Sequence, residues 1–143
     1  MKKQDNAANE KAKTWKLVEK ILGQTIRVVG RRPDWQIHPG SDTSVIMTFS
    51  KQGQLFYDVS KKDLAQFPAY KRSFFVFLAG SHKDVFIIPS HELRSQIEAQ
   101  KIKHSDEYQD YKLHLVRDYR GTYFREIPTL NLTPFFNQYT QLL

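Results

Sequence analysis

The chain has 143 residues, of which 40% are apolar and 26% charged, with ten phenylalanines and seven tyrosines; this suits one globular domain, 1–143, that buries its own core. The absence of cysteine excludes disulfides and thiolate metal sites and suits a reducing cytoplasm. A formal charge of +7 favours polyanionic partners, nucleic acid first, and no apolar run approaches the ~20 residues of a membrane span.

Residues 1–6 are polar and expected to be loose, and MKKQDNAANEKAK lacks the apolar centre of a signal peptide, so a cytoplasmic protein is expected. From Ala7 to Leu22 apolar residues return every three or four positions (Ala8, Ala12, Trp15, Val18, Leu22), the period of a helix, and Gly23 stands where it should stop. TIRVV, Thr25–Val29, reads as a short strand, and Gly30–Ser41, with two prolines and two glycines, as a loop. Thr43–Phe49 and Gln54–Ser60 read as strands joined by a KQG hairpin turn. KKDLAQFPAYKR reads as one helical turn broken at Pro68. SFFVFLAG and DVFIIP make a second hairpin across GSHK, and Ser90 is expected to cap a helix from His91 to Lys101. YKLHLVRDY alternates and pairs with RGTYFREIP. Thr133 and Pro134 open a last helix with Phe135, Phe136, Tyr139, Leu142 and Leu143 on its apolar side, a core face or, if it projects, a homodimer face. The order predicts an α+β fold with a mixed central sheet flanked by helices.

The chemistry centres on acids. Asp42 lies at the entrance to one strand and Asp58 inside the next; if those strands pair, both point at one end of the sheet. Two converging carboxylates suit Mg²⁺, which prefers hard oxygen ligands and can activate water beside a phosphate. Glu19 sits at the margin of the first helix's apolar stripe and adds a third acid. Each has a plainer reading: Asp58 as a strand-end acid hydrogen-bonded to a neighbouring backbone or paired with Arg27, Asp42 as a turn residue, Glu19 as a solvated helix acid. Arg31 and Arg32 with nearby Trp35, and Lys61, Lys62, Lys71 and Arg72, suit phosphate contacts and base stacking or, equally, a solvated surface. The histidines show no zinc-ligand spacing.

A helix holding Glu19, then PGSDTSV, then LFYDVSKK, FFVFLAG and DVFIIPSHEL, resembles the PD-(D/E)XK nuclease superfamily over roughly Glu10 to Ile97. The resemblance implies a restriction-endonuclease-like core and a Mg²⁺-dependent endodeoxyribonuclease acting on DNA, with Asp42 and Asp58 as metal ligands and Glu19 assisting. The chain departs from the motif where the family has lysine: Asp58 is followed by Val59 and Ser60. Strand parity puts Ser60 on the face of Asp58 and Lys61 on the other, leaving Lys62 as the catalytic lysine only if the strand continues. The alternative is a catalytically inactive relative that binds DNA or another protein.

Overall fold

The computed structural model describes residues 3–23, 26–29, 31–38, 42–66, 72–105 and 109–143. The expected α+β class is observed: three helices accompany a five-stranded mixed sheet and a three-stranded antiparallel sheet. Helix α1 runs Lys3–Leu22, so it begins earlier than its apolar stripe, and Gly23 ends it with a positive φ of 77° and an N–H on the Glu19 carbonyl. Strands β1 (Arg27–Val29), β2 (Arg32–His38) and β3 (Thr43–Ser50) follow. Then come β4 (Phe56–Ser60), α2 (Lys61–Gln66), β5 (Arg72–Ala79), β6 (Val85–Pro89), α3 (Ser90–Ala99), β7 (Asp110–Asp118) and β8 (Gly121–Phe124).

The large sheet has the order β1-β2-β3-β5-β6, with β3 and β5 parallel in register from Thr43 opposite Arg72 to Ser50 opposite Ala79. Alternation along β5 separates two cores. Phe74, Val76 and Leu78 meet Val18 of α1 and Leu142, while Phe75, Phe77 and Ala79 meet Tyr57, Leu113 and Phe124 of the small sheet and Leu93 and Ile97 of α3. The large sheet is therefore covered on both faces, which is why β3 and β5 are almost continuously buried.

Four expectations need correction. The stretch Gly30–Ser41 is not all loop, because Arg32–His38 is strand β2. Arg32, Pro33 and Asp34 hide its alternation, but Trp35 lies opposite Ile46 of β3 and is buried. The β1–β2 register shifts at Val28/Val29, where the ladder reaches Arg32, next to Pro33, which has no N–H to give. Second, β3 and β4 do not form a hairpin: β2 and β5 occupy both edges of β3, and β4 pairs with β7 in the other sheet. Between them Gly53 and Leu55 take positive φ values of 94° and 46°, and the Phe56 N–H donates to Ser50 Oγ as the chain changes sheets. The β5–β6 and β7–β8 pairs form as expected.

The last segment is not a continuous helix but two 3₁₀ turns, Thr133–Phe135 and Tyr139–Leu142. Asn137, at φ 53°, separates them and pairs with β6: its N–H donates to the Val85 carbonyl at 2.6 Å, and its Oδ1 accepts from the Val85 N–H at 3.0 Å. Phe136 packs against Phe86, with ring centroids 5.3 Å apart. Ser90 likewise does not cap α3; its hydroxyl bonds the Ser73 hydroxyl instead.

Helix α1 is pinned at its far end by Glu10. One carboxylate oxygen accepts both the main-chain N–H and the ring Nδ1 of His82, each at 2.7 Å. The His82 ring and then its main-chain N–H hold the Glu10 carboxyl down at about 2, below its ordinary 4.5. A pKa lowered by folding adds stability above pH 4.5 that is lost as pH falls towards 2. Glu10→Gln should therefore cost about 1–2 kcal/mol at neutral pH and almost nothing near the folded pKa. Thermal unfolding of both forms across that range checks it, and a pH-independent difference would contradict it.

Candidate nucleic-acid interface

Strand β4 buries Tyr57 and Val59 and turns Asp58 outward. Asp58 lies opposite Lys112 of β7, whose Nζ donates to Asp58 Oδ1 at 2.9 Å, with both side chains 47% exposed. The acid is thus answered by a cation on the neighbouring strand, and that cation is not Arg27. At the position where the family has lysine, Ser60 Oγ accepts the Asp63 N–H at 3.3 Å and caps α2, so the serine has a local reason to be there.

Of the three acids singled out in the sequence, Asp58 belongs to the small sheet, whereas Asp42 and Glu19 lie beside the large one. Asp42 precedes β3 and is exposed, with φ 50° and its carbonyl accepting the Arg72 N–H. Ile46, Met47 and Thr48 of β3 border one cavity with Asp58, and Asp42 is not among the residues lining it. Glu19 Oε2 accepts the Ile26 N–H at 3.4 Å, closing the connection from α1 to the sheet. The shared rim for Asp42 and Asp58 does not form because their strands belong to different sheets. Among the described residues no group of three or more His, Asp or Glu side chains is arranged to hold a metal ion.

The cavity beside Asp58, about 410 Å³, brings in three acids the sequence reading missed, Asp34, Asp63 and Asp110. Arg32 lies between Asp34 and Asp63. Its guanidinium donates to both oxygens of Asp63 at 2.9 and 2.8 Å, and to both oxygens of Asp34 at 3.2 and 2.9 Å. Those bonds, Asp63's foremost, raise the Arg32 pKa further, so it stays charged. Burial pushes the Asp34 carboxyl up, but the hydrogen bonds and charge of Arg32 outweigh it and hold the carboxyl low. Mg²⁺ prefers converging oxygen ligands. Here all four oxygens of Asp34 and Asp63 accept from Arg32, Asp58 Oδ1 accepts from Lys112, and Asp110 borders the same cavity. Among the described residues these acids do not converge as a group of three that would hold the ion, and no step is derived through it.

The cations also divide. Arg31 is exposed in the β1–β2 turn, whereas Arg32 is committed to its two carboxylates. Trp35 is no platform for base stacking: it is 6% exposed, its Nε1 donates to Ser44 Oγ at 2.6 Å, and Arg32 lies 5.4 Å from its ring. Lys71 lies outside the described residues. Arg72 donates to the main-chain oxygens of Gln141 and Leu143 and stands 5.5 Å from the Phe74 ring.

Lys61 and Lys62 are exposed at the start of α2. Lys61 Nζ lies 3.3 Å from His104 Nε2, in the segment after α3. An ammonium only donates, so Nε2 accepts and the ring proton sits on Nδ1, which faces the Ser105 carbonyl at 3.0 Å. This contact sets Lys61 and Lys62 beside the segment that carries the exposed Lys101 and Lys103. None of the four lysines forms an ion pair with a described carboxylate. No motif links Lys61 to His104; the link is made by Ser60 opposite Asp110 and by the Lys61 N–H on the Gln109 carbonyl.

Comparison with protein-family models, with curated proteins and with solved structures finds no match to this chain. Among the described residues no helix is long and apolar enough to cross a membrane.

Proposed function

We propose that this protein binds nucleic acid, DNA in the first instance, through phosphate contacts, as a catalytically silent relative of the PD-(D/E)XK nucleases in the cytoplasm. The contact between Lys61 and His104 carries the reading, because it gathers Lys61, Lys62, Lys101 and Lys103 on one exposed border with no described carboxylate neutralising them. Cations in that state exchange counterions for phosphates, and the overall charge of +7 acts in the same direction. The silent reading is supported by the ion pairs of the acids: Asp58 pairs with Lys112, and Asp34 and Asp63 with Arg32. The nuclease kinship is supported by the order of motifs in the sequence, and the cytoplasmic setting by the lack of cysteine.

Fluorescence anisotropy with a labelled DNA duplex over a range of salt tests it. Binding should weaken steeply with salt. The Lys61→Ala/Lys62→Ala double variant should bind more weakly and reduce the slope of log K against log salt by about two. No binding at low salt, or an unchanged slope, would end the proposal. Plasmid incubated with Mg²⁺ should stay intact; cleavage that Asp58→Ala abolishes would reinstate the enzyme.

A further inference from the structure

Among the described residues every phenylalanine, tyrosine and tryptophan but one is buried or half-buried; the exception is Tyr119, which is 95% exposed. It stands in the turn between β7 and β8, where Asp118 lies opposite Gly121, so Tyr119 and Arg120 form the tip of the hairpin. A tyrosine ring gains from burial, and this one has almost none.

The tip is built to hold that ring out. Gly121 takes a φ of 114°, which few other residues adopt. Asp118 Oδ1 accepts the Arg120 N–H at 2.8 Å, and its Oδ2 accepts from the Arg120 guanidinium at 3.1 Å and from the Tyr123 hydroxyl at 2.6 Å. Tyr123 is 8% exposed, so the turn is anchored to the sheet behind it. A ring presented on a fixed turn loses little freedom on binding. Arg120 lies 5.7 Å from the Tyr119 ring centroid, on one face, and leaves the other open. Its charge is answered by Asp118. Arg117, two residues before Tyr119, is exposed, rests 5.5 Å from the Phe86 ring, and forms no ion pair with a described carboxylate.

We infer that the tip of the β7–β8 hairpin stacks Tyr119 on an unpaired base of a bound nucleic acid, with Arg117 beside the adjoining phosphate. The inference rests on the nucleic-acid reading and narrows it to ligands with a single-stranded part. An open aromatic ring accepts the face of any base, and inside a duplex both faces of each base are already stacked. A protein hot spot, the other use of an exposed tyrosine, is ringed by contacts that shut out water. Here Arg117, Asp118 and Arg120 around the ring are charged and exposed. The tip and the lysine border lie at opposite ends of β7: Asp110 is opposite Ser60, next to Lys61, and Asp118 is about 27 Å further along the strand. Lys112 and Arg125 between them are paired with Asp58 and Glu126 and contribute no free charge. One ligand meets both ends if its duplex lies on the lysines and its single strand reaches the tip.

Fluorescence anisotropy with a blunt duplex, and with the same duplex carrying a single-stranded tail of about ten nucleotides, tests it. The tailed duplex should bind about tenfold more tightly. Tyr119→Ala should remove that advantage, leave the blunt duplex unaffected, and keep the slope of log K against log salt, because no phosphate contact is lost. Tyr119→Phe retains the ring and should bind as the parent does. Circular dichroism should be the same for all three, since the side chain lies outside the core. Equal affinity for blunt and tailed duplexes, or an advantage that survives Tyr119→Ala, would overturn the tip contact and leave the lysine border standing. A tail preference that Tyr119→Ala abolishes and Lys61→Ala/Lys62→Ala leaves untouched would support the tip and end the lysine reading alone. A dimer in light scattering that Tyr119→Ala turns into a monomer would overturn the inference in favour of a contact between two copies. A protein that binds neither duplex would overturn both readings.

Discussion

Arg32→Met should destabilise the protein by about 3 kcal/mol, the order expected when one partner of a largely buried ion pair is removed. The Asp63 side chain is 7% exposed, and Arg32 supplies a hydrogen bond to each of its oxygens. Without the guanidinium a carboxylate is left desolvated and unpaired, which costs more than the pair itself contributes. The 43% exposure of Arg32 keeps the loss at the lower end of the range for such pairs. Asp63→Asn in the same chain should restore much of the loss, because a neutral amide carries no charge penalty. Urea unfolding at neutral pH measures both, and thermal unfolding should show a fall of about 10 °C in Tm for the single variant. A loss below about 1 kcal/mol would mean that the clamp is a solvated surface pair.

Phe77→Ala should cost about 4 kcal/mol. The ring is 1% exposed and lies where the two sheets meet, 5.0 Å from Tyr57 of β4 and 5.2 Å from Phe124 of β8, both edge-on. Its removal leaves a cavity walled by both sheets and takes away three aromatic pairs, that with Phe75 included. Phe77→Leu should cost about a third as much, since most of the volume is kept. Hydrogen exchange should quicken more in β4, β7 and β8 than along β3, because the small sheet is tied to the large one through this seam. Equal quickening in both sheets would show that the seam does not separate them energetically.

Several features of the candidate site were open to a reading of the chain alone. Ser60, three residues before Asp63, has the spacing of a helix cap, which accounts for serine where a nuclease would carry lysine. Arg32 and Asp34 share strand parity, so their pairing follows once Arg32–His38 is seen to be extended. Pro33 and the flanking charges concealed that strand, because a strand between two others is expected to alternate with apolar residues and to lack proline. The stripe of α1 and the apolar runs of β5 and β6 were legible because burial on both sides of a sheet needs unbroken apolar sequence.

By itself the sequence determined the periods of α1 and of the apolar strands β5 and β6, which face of α1 is apolar, and that the molecule is basic. Those properties are local, set by side-chain stereochemistry within a turn or two of backbone. Only the tertiary structure decided which strands share a ladder and which charge each acid meets. Arg32 finds Asp63 across 31 positions, and Asp58 finds Lys112 across 54. The physical reason is competition for edges. With β2 and β5 on its two sides, β3 had none left for β4, and the strand bearing Asp58 joined the other sheet, where a lysine stood opposite it.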